Sequence, residues 1–150
     1  MIHVRLQAEP FDAGAELARL DSLGGGGVAS FTGIVRGDDG LTELLLEHHP
    51  EMTLTMLQAL AAEAAARWNL LGATIIHRYG ALGPGAPIVF VATAARHRAA
   101  ALEACASLID RLKTQAPFWK RETFADGRQS WVEPRASDDV AAARWLRDGG

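Results

Sequence analysis

VASFTGIVRGDDGLTELLLE, residues 28–47, is the stretch on which the fold class turns. Val28 to Arg36 is rich in β-branched and aromatic side chains, and Leu41 to Glu47 is a second run of strand type. Between them Gly37-Asp38-Asp39-Gly40 is turn chemistry, since glycine tolerates positive φ and aspartate bonds its own backbone. Read locally, the two runs form a β-hairpin, which predicts antiparallel pairing.

Outward from it, Ile2 to Gln7 alternates as a short strand, and Asp12 caps a helix carrying Leu17 and Leu20 before the Gly24–Gly27 break. Pro50 suits a helix start, and Glu51 to Trp68 is alanine-rich with leucines at helical spacing. Ala73 to Tyr79 reads as a strand and Gly80 to Gly85 as a turn. Pro87 to Ala94 contains IVFVA, apolar on both faces, and belongs at the centre of a sheet. A third helix runs from Arg96 to Thr114 and is stopped by Pro117. Phe118 to Thr123 and Gln129 to Val132 are strands around a turn at Asp126-Gly127. Asp138 to Arg147 is a short helix, and the terminal Gly149-Gly150 frays. Helices inserted among hairpin-like strands predict an α+β fold over residues 1–150. It is a single domain with three main helices and a mostly antiparallel sheet.

Composition narrows the function. The 150 residues are 49% hydrophobic and 22% charged, as an ordered globular chain requires. A net charge of −3 gives no general attraction to nucleic acid or to an anionic membrane, so anion binding needs a local cluster. The lone Cys105 excludes an internal disulfide framework and a cysteine-based zinc site. MIHVRLQAEP lacks the apolar region of a signal peptide, and no run approaches the roughly 18 apolar residues of a membrane span. The expected location is the cytoplasm.

The chemistry concentrates in LKTQAPFWKRE, residues 112–122. Of fifteen basic residues thirteen are arginine, and the two lysines, Lys113 and Lys120, both lie here. Lysine offers what arginine does not, an amine able to lose its proton and act as base or nucleophile. On a helical wheel with Leu102 at zero, Cys105, Ile109 and Leu112 fall within about 80° on one side and Lys113 about 20° on the other. Two readings follow for Lys113. Either it faces protein and desolvation depresses its pKa, or its stem is buried and its amine snorkels to solvent at the helix C-terminus. Arg96, His97 and Arg98 occupy the first turn, where the helix dipole disfavours positive charge. They bind an anion there, or they pair with nearby carboxylates. Glu122 shares a strand face with Lys120 and is placed to orient it, and Arg36 closes the Val28 strand. Cys105 lies in the core stripe as a packing residue. His48 and His49 have no partners at metal-ligand spacing, and the scattered tryptophans make no nucleic-acid platform.

Taken together, FTGIVR (31–36), LEHHPEM (46–52), IIHRYG (75–80), IVFV, the Arg96-His97-Arg98 cluster, LKTQAPFWKRE and WVE (131–133) resemble the catalytic, large subunit family of molybdopterin synthase. They occur in the family's order across nearly the whole chain. The resemblance implies an α/β hammerhead-type fold and a homodimer with a small sulfur-carrier protein at each end, a heterotetramer. It implies sulfur transfer from the thiocarboxylate on the carrier's C-terminal Gly-Gly to cyclic pyranopterin monophosphate, forming the dithiolene of molybdopterin, with no metal and no cofactor at this step. It makes Lys113 and Lys120 the active-site lysines. Arg36, His97 and Arg98 become substrate-anion contacts, Lys113, Lys120, Arg121 and Glu122 join them as substrate-binding residues of the pocket segment, and His97 and Arg98 serve the partner subunit's lysines. Ile34 and His49 depart from the family pattern, which commonly has lysine and tyrosine there. The chain's own Gly149-Gly150 repeats the carrier's terminal dipeptide. Two other classes compete: a lysine Schiff-base enzyme acting on a phosphorylated carbonyl compound, and an anion-binding scaffold without activity.

Overall fold

The computed structural model describes residues 1–132 together with Ala143 and Trp145. The order is β1 (Ile2–Gln7), α1 (Ala13–Asp21), β2 (Gly27–Ile34), β3 (Leu41–His48), α2 (Pro50–Arg67), β4 (Gly72–Arg78), β5 (Gly80–Leu82), β6 (Pro87–Ala95), α3 (Arg98–Gln115), β7 (Phe118–Phe124) and β8 (Gln129–Trp131). Two four-stranded sheets result, ordered β1-β4-β6-β2 and β5-β3-β7-β8. Every pair is antiparallel except β1 with β4. Among the described residues the architecture is therefore α+β, with three full helices.

The first sheet is covered on both faces, which is why β4 is buried throughout and β6 reads as an apolar run. Ile75 pairs with Val91, and both pack under α2 and α3 with Leu57, Leu60, Cys105 and Leu108. Their neighbours Ile76 and Phe90 pair on the opposite face, against Leu20 of α1. Alternation along two strands thus feeds two cores. The fully buried Leu57 and Leu60 each contribute about 2 kcal/mol relative to exposure. A smaller core under the second sheet holds Val35, Leu41, Leu46 and Leu82.

The hairpin expected from residues 28–47 does not form. β2 pairs with β6 and β3 with β5 and β7, so the two strands lie in different sheets. The apolar, two-faced β6 needs a second long neighbour, and β2 supplies it over eight residues. The chain then leaves the sheet. β2 ends at Ile34 after a bulge, two residues short of Arg36. The Val35 amide donates to the Ala86 carbonyl and Gly85 donates back to Val35, each at 2.9 Å. A 3₁₀ turn at Asp38–Gly40, with Asp39 at φ 57°, then redirects the chain into the second sheet. Gly80, at φ +90°, does the same after β4 and starts β5, a strand within the segment expected to be a turn. The expected β7–β8 pair is present, with Gly127 at φ +88° in its turn. The predicted helix at Asp138–Arg147 and the Gly149-Gly150 end lie outside the described residues, apart from Ala143 and Trp145. Trp145 donates from its indole to Asp110 of α3 at 2.8 Å.

The glycine run is not a loose break. A Cβ on Gly26 would lie 2.3 Å from the Arg96 carbonyl oxygen, and one on Gly25 2.5 Å from that of Ala95. These glycines let backbone meet backbone at the junction of β6 and α3, and the Gly26 amide donates to the Ala95 carbonyl at 3.1 Å. Gly26→Ala is expected to cost about 2 kcal/mol, read as a lower urea midpoint at unchanged slope. An unchanged midpoint would show that the junction yields freely.

Candidate functional site

α3 carries candidate site residues at both ends, and its seat on the sheet differs from the one expected. Leu102, the reference residue of the wheel, is 60% exposed; the buried stripe is Ala101, Ala104, Cys105, Leu108 and Leu112. Alanine carries this face, so the larger Leu102 misdirected the wheel. Lys113 consequently lies outside the stripe and is exposed in the single chain, in the last turn, where the dipole favours a cation. The expectation that it faces protein is not met within one chain. Cys105 packs as expected: it is buried, its thiol lies 3.8 Å from the Val91 carbonyl, and burial pushes its pKa up to about 11.

The helix begins at Arg98, with His97 in the N-cap position and Arg96 before it, so the three basic residues straddle the start instead of filling the first turn. All three are exposed, the first turn holds no acidic residue, and His97 makes no capping bond. Among the described residues no carboxylate lies within ion-pair distance of them. The amides of the first turn remain available to an anion.

At the other end the helix stops at Gln115, and the Ala116 amide donates to the Leu112 carbonyl. Pro117 turns the chain into β7. In that strand Phe118, Lys120 and Glu122 share one face, opposite His48, Leu46 and Leu44 of β3. Lys120 is half-buried. Glu122 therefore lies on the face of Lys120, as expected from the spacing. Arg121 points to the other face, where its guanidinium sits 5.8 Å from the Trp131 ring. Arg36 is exposed in the turn after β2 and pairs with Asp38 at 3.5 Å.

The register sorts these residues into two groups. Arg36 lies near Ala86, at the β6 start, and Lys120 joins that end through Phe118, which stacks on His77, itself paired with Val89. His97 and Arg98 follow the other end of β6, about 26 Å away at strand rise. Along α3, Arg98 and Lys113 are separated by about 22 Å at 1.5 Å per residue. One chain does not bring the helix-start cluster to the lysines.

Sequence reasoning missed His77. It is buried, with its ring 3.8 Å from that of Phe118 at 18°, a face-to-face stack between the two sheets. Its Nδ1 lies 2.8 Å from the Arg78 carbonyl, which accepts only, so Nδ1 carries the proton and Nε2 is bare. Burial above all, against the raising effect of the backbone bond and with the nearby Lys120 and His48 charges also lowering it, brings its pKa down to about 4. The available signal was a titratable residue directly after the largely apolar run ATII. His48 rests 4.5 Å from the Tyr79 ring and 5.8 Å from Phe118, and burial lowers its pKa as well. His49 caps α2, its Nδ1 accepting from the Met52 amide at 3.2 Å. Among the described residues no three His, Cys, Asp or Glu side chains are grouped to hold a metal ion, and no helix is long and apolar enough to cross a membrane.

The His77 shift has a consequence for stability. Above pH 6.5 the imidazole is neutral in both states. As pH falls from 6.5 toward 4 the unfolded chain takes a proton that the fold refuses, so stability drops, and below about 4 the loss levels off. A shift of this size corresponds to about 3 kcal/mol. Urea unfolding of His77→Phe should show an acid-side loss smaller by that amount than the wild type, and identical pH curves would contradict the assignment.

Comparison with known proteins gives one consistent result. The MoaE protein family matches residues 6–115. The molybdopterin synthase catalytic subunit of Pseudomonas aeruginosa is 50% identical over 147 residues, covering 95% of this chain and 97% of that protein. The subunit of the same name from Cereibacter sphaeroides is 46% identical, covering 96% of this chain and 100% of its own length. Among solved structures, the molybdopterin biosynthesis MoaE protein from Burkholderia ambifaria superimposes with a TM-score of 0.83 at 45% identity, over 97% of this chain and 99% of that one.

Proposed function

The chain belongs to the MoaE family, whose relatives are molybdopterin synthase catalytic subunits, and on that premise we propose that it transfers sulfur onto cyclic pyranopterin monophosphate. It is an enzyme of molybdopterin synthesis. The donor in this reading is the thiocarboxylate at the C-terminal Gly-Gly of a small carrier subunit. Its sulfur forms the new bond to a substrate carbon as a C–O bond at that carbon breaks and its oxygen departs. Water then adds to the acyl carbon and cleaves the acyl C–S bond, leaving the sulfur on the substrate as a thiol while the carrier departs as a carboxylate. Two such transfers make the dithiolene.

The single observation that carries the residue assignment is the placement of the only two lysines on either side of the Pro117 bend. Lys113 leaves the end of α3, and Lys120 projects from β7 beside Phe118 and on the face of Glu122. In this reading Lys113 assists attack and collapse at the carrier's acyl carbon, and Lys120 stabilises developing negative charge or passes protons. Arg36, at the lysine end, contacts a substrate anion, and Glu122 orients Lys120. Arg121, carried in the same segment on the other strand face beside Trp131, completes the proposed substrate-binding set.

His97 and Arg98 suit a phosphate, with exposed cations and free helix amides, yet stand about 22 Å from the lysines of the same chain. The pocket is accordingly shared: two copies pair so that the helix start of one meets the lysines of the other, and a carrier seats at each pocket. A symmetric dimer repeats such a contact twice. The exposed Trp119 and Trp131, 56% and 55% accessible, give the lysine end apolar surface for a protein partner. The test is formation of dithiolene product from cyclic pyranopterin monophosphate and thiocarboxylated carrier. Absence of product with carrier binding confirmed would overturn the proposal.

A further inference from the structure

We infer that His77 is a positioning residue of this site: its ring, stacked on Phe118, fixes the start of β7 and so sets where Lys120 projects. The inference rests on the assignment of Lys120 to the site. The ring is held from behind. Its Nδ1–H donates to the Arg78 carbonyl, and the Arg78 guanidinium donates to the Ala8 carbonyl at 2.9 and 3.1 Å and to the Pro87 carbonyl at 2.9 Å. Arg78 thus ties the end of β4 to the segments following β1 and opening β6, making the imidazole a fixed plate on the first sheet. Phe118 belongs to the second sheet, two residues before Lys120 and on the same strand face. Its ring lies over His77 and has His48 on a further side. β7 is paired with β3 and β8 within its own sheet, and the stack adds a contact across the sheets at the strand's start, two residues before Lys120. The imidazole also stays uncharged in the working range, since burial and the Lys120 ammonium both oppose its protonation. It adds shape to the site and no competing cation.

An aromatic carbocycle should therefore substitute for the imidazole where a small side chain does not. The experiment uses the full chain with carrier, and the two lysines make it direct, because lysine labelled at ¹³Cε yields one resonance each for Lys113 and Lys120. In His77→Ala the Lys120 resonance should move while Lys113 stays, with kcat down about 10- to 100-fold and KM changed far less, as misplacement of a reacting group predicts. His77→Phe should return the Lys120 resonance toward its wild-type position and recover most of kcat. Phe118→Leu, which breaks the stack from the other side, should reproduce the alanine phenotype and serves if His77→Ala does not fold. A Lys120 resonance unmoved by loss of the stack would overturn the inference. So would a His77→Phe enzyme as impaired as an alanine or leucine variant, which would give the role to the ring nitrogens. A wild type without turnover would sink the proposed reaction instead, and the Lys120 resonance would still decide the role of the stack.

Discussion

Lys113→Ala and Lys120→Ala are each expected to lower the rate of dithiolene formation by about 100-fold or more, the range typical of losing a positioned acid, base or charge stabiliser. Arginine replacements separate the roles. Arginine keeps the charge and does not deprotonate at working pH, so Lys113→Arg should be as poor as the alanine variant if its amine exchanges protons. Lys120→Arg should retain part of the rate if its charge is what matters. Single-turnover product formation at saturating thiocarboxylated carrier is the measurement, with carrier affinity determined separately. Lys113 is exposed at the helix end, so its change to alanine should not disturb the core. A Lys113→Ala enzyme turning over at the wild-type rate would remove that residue from the chemistry.

The second large effect tests where the other half of the site comes from. A double variant, His97→Ala with Arg98→Ala, and the single variant Lys113→Ala should each be nearly inactive alone. Mixed in equal amounts and allowed to exchange subunits, they should regain about a quarter of wild-type activity. Half of the randomly paired dimers then contain one copy of each variant, and each such dimer has one pocket with both contributions intact. No recovery after demonstrated exchange would mean that the helix-start cluster serves some other anion. Full activity in the double variant would remove it from the site altogether.

Much of the fold was legible because local pattern and tertiary context agreed. β1 has the expected bounds, α2 starts at Pro50, and the apolar IVFVA run is central as its two-faced character requires. The failures came where a local signal competed with a distant partner. Residues 28–47 carry hairpin chemistry, yet β2 gains more by lining β6, and no turn signal reports that choice. The parallel pairing of β1 with β4 joins strands some seventy residues apart and leaves no local trace. On α3 the reading of the face failed because alanine and not leucine marks the buried side. At the site, residue type was the better guide. Scarce lysines and a misplaced basic cluster stood out by chemistry alone, as did the shared face of Lys120 and Glu122. His77 did not, since a single histidine in an apolar strand has no periodicity, and its partner Phe118 lies in the other sheet.

The small residues that seat α3 have a mechanical consequence. Ala101, Ala104 and Cys105 allow the helix axis to lie close against β2 and β6, with Leu108 and Leu112 as the longer buried side chains on that face. A rod bedded this tightly neither slides nor rolls without opening the core. In the proposed dimer the helix is therefore a strut whose length sets a ruler between two half-pockets belonging to different neighbours. Displacement at one end would reach the other as rigid motion, so in that proposed arrangement neither half-pocket is retuned without consequence for the site shared with the other copy.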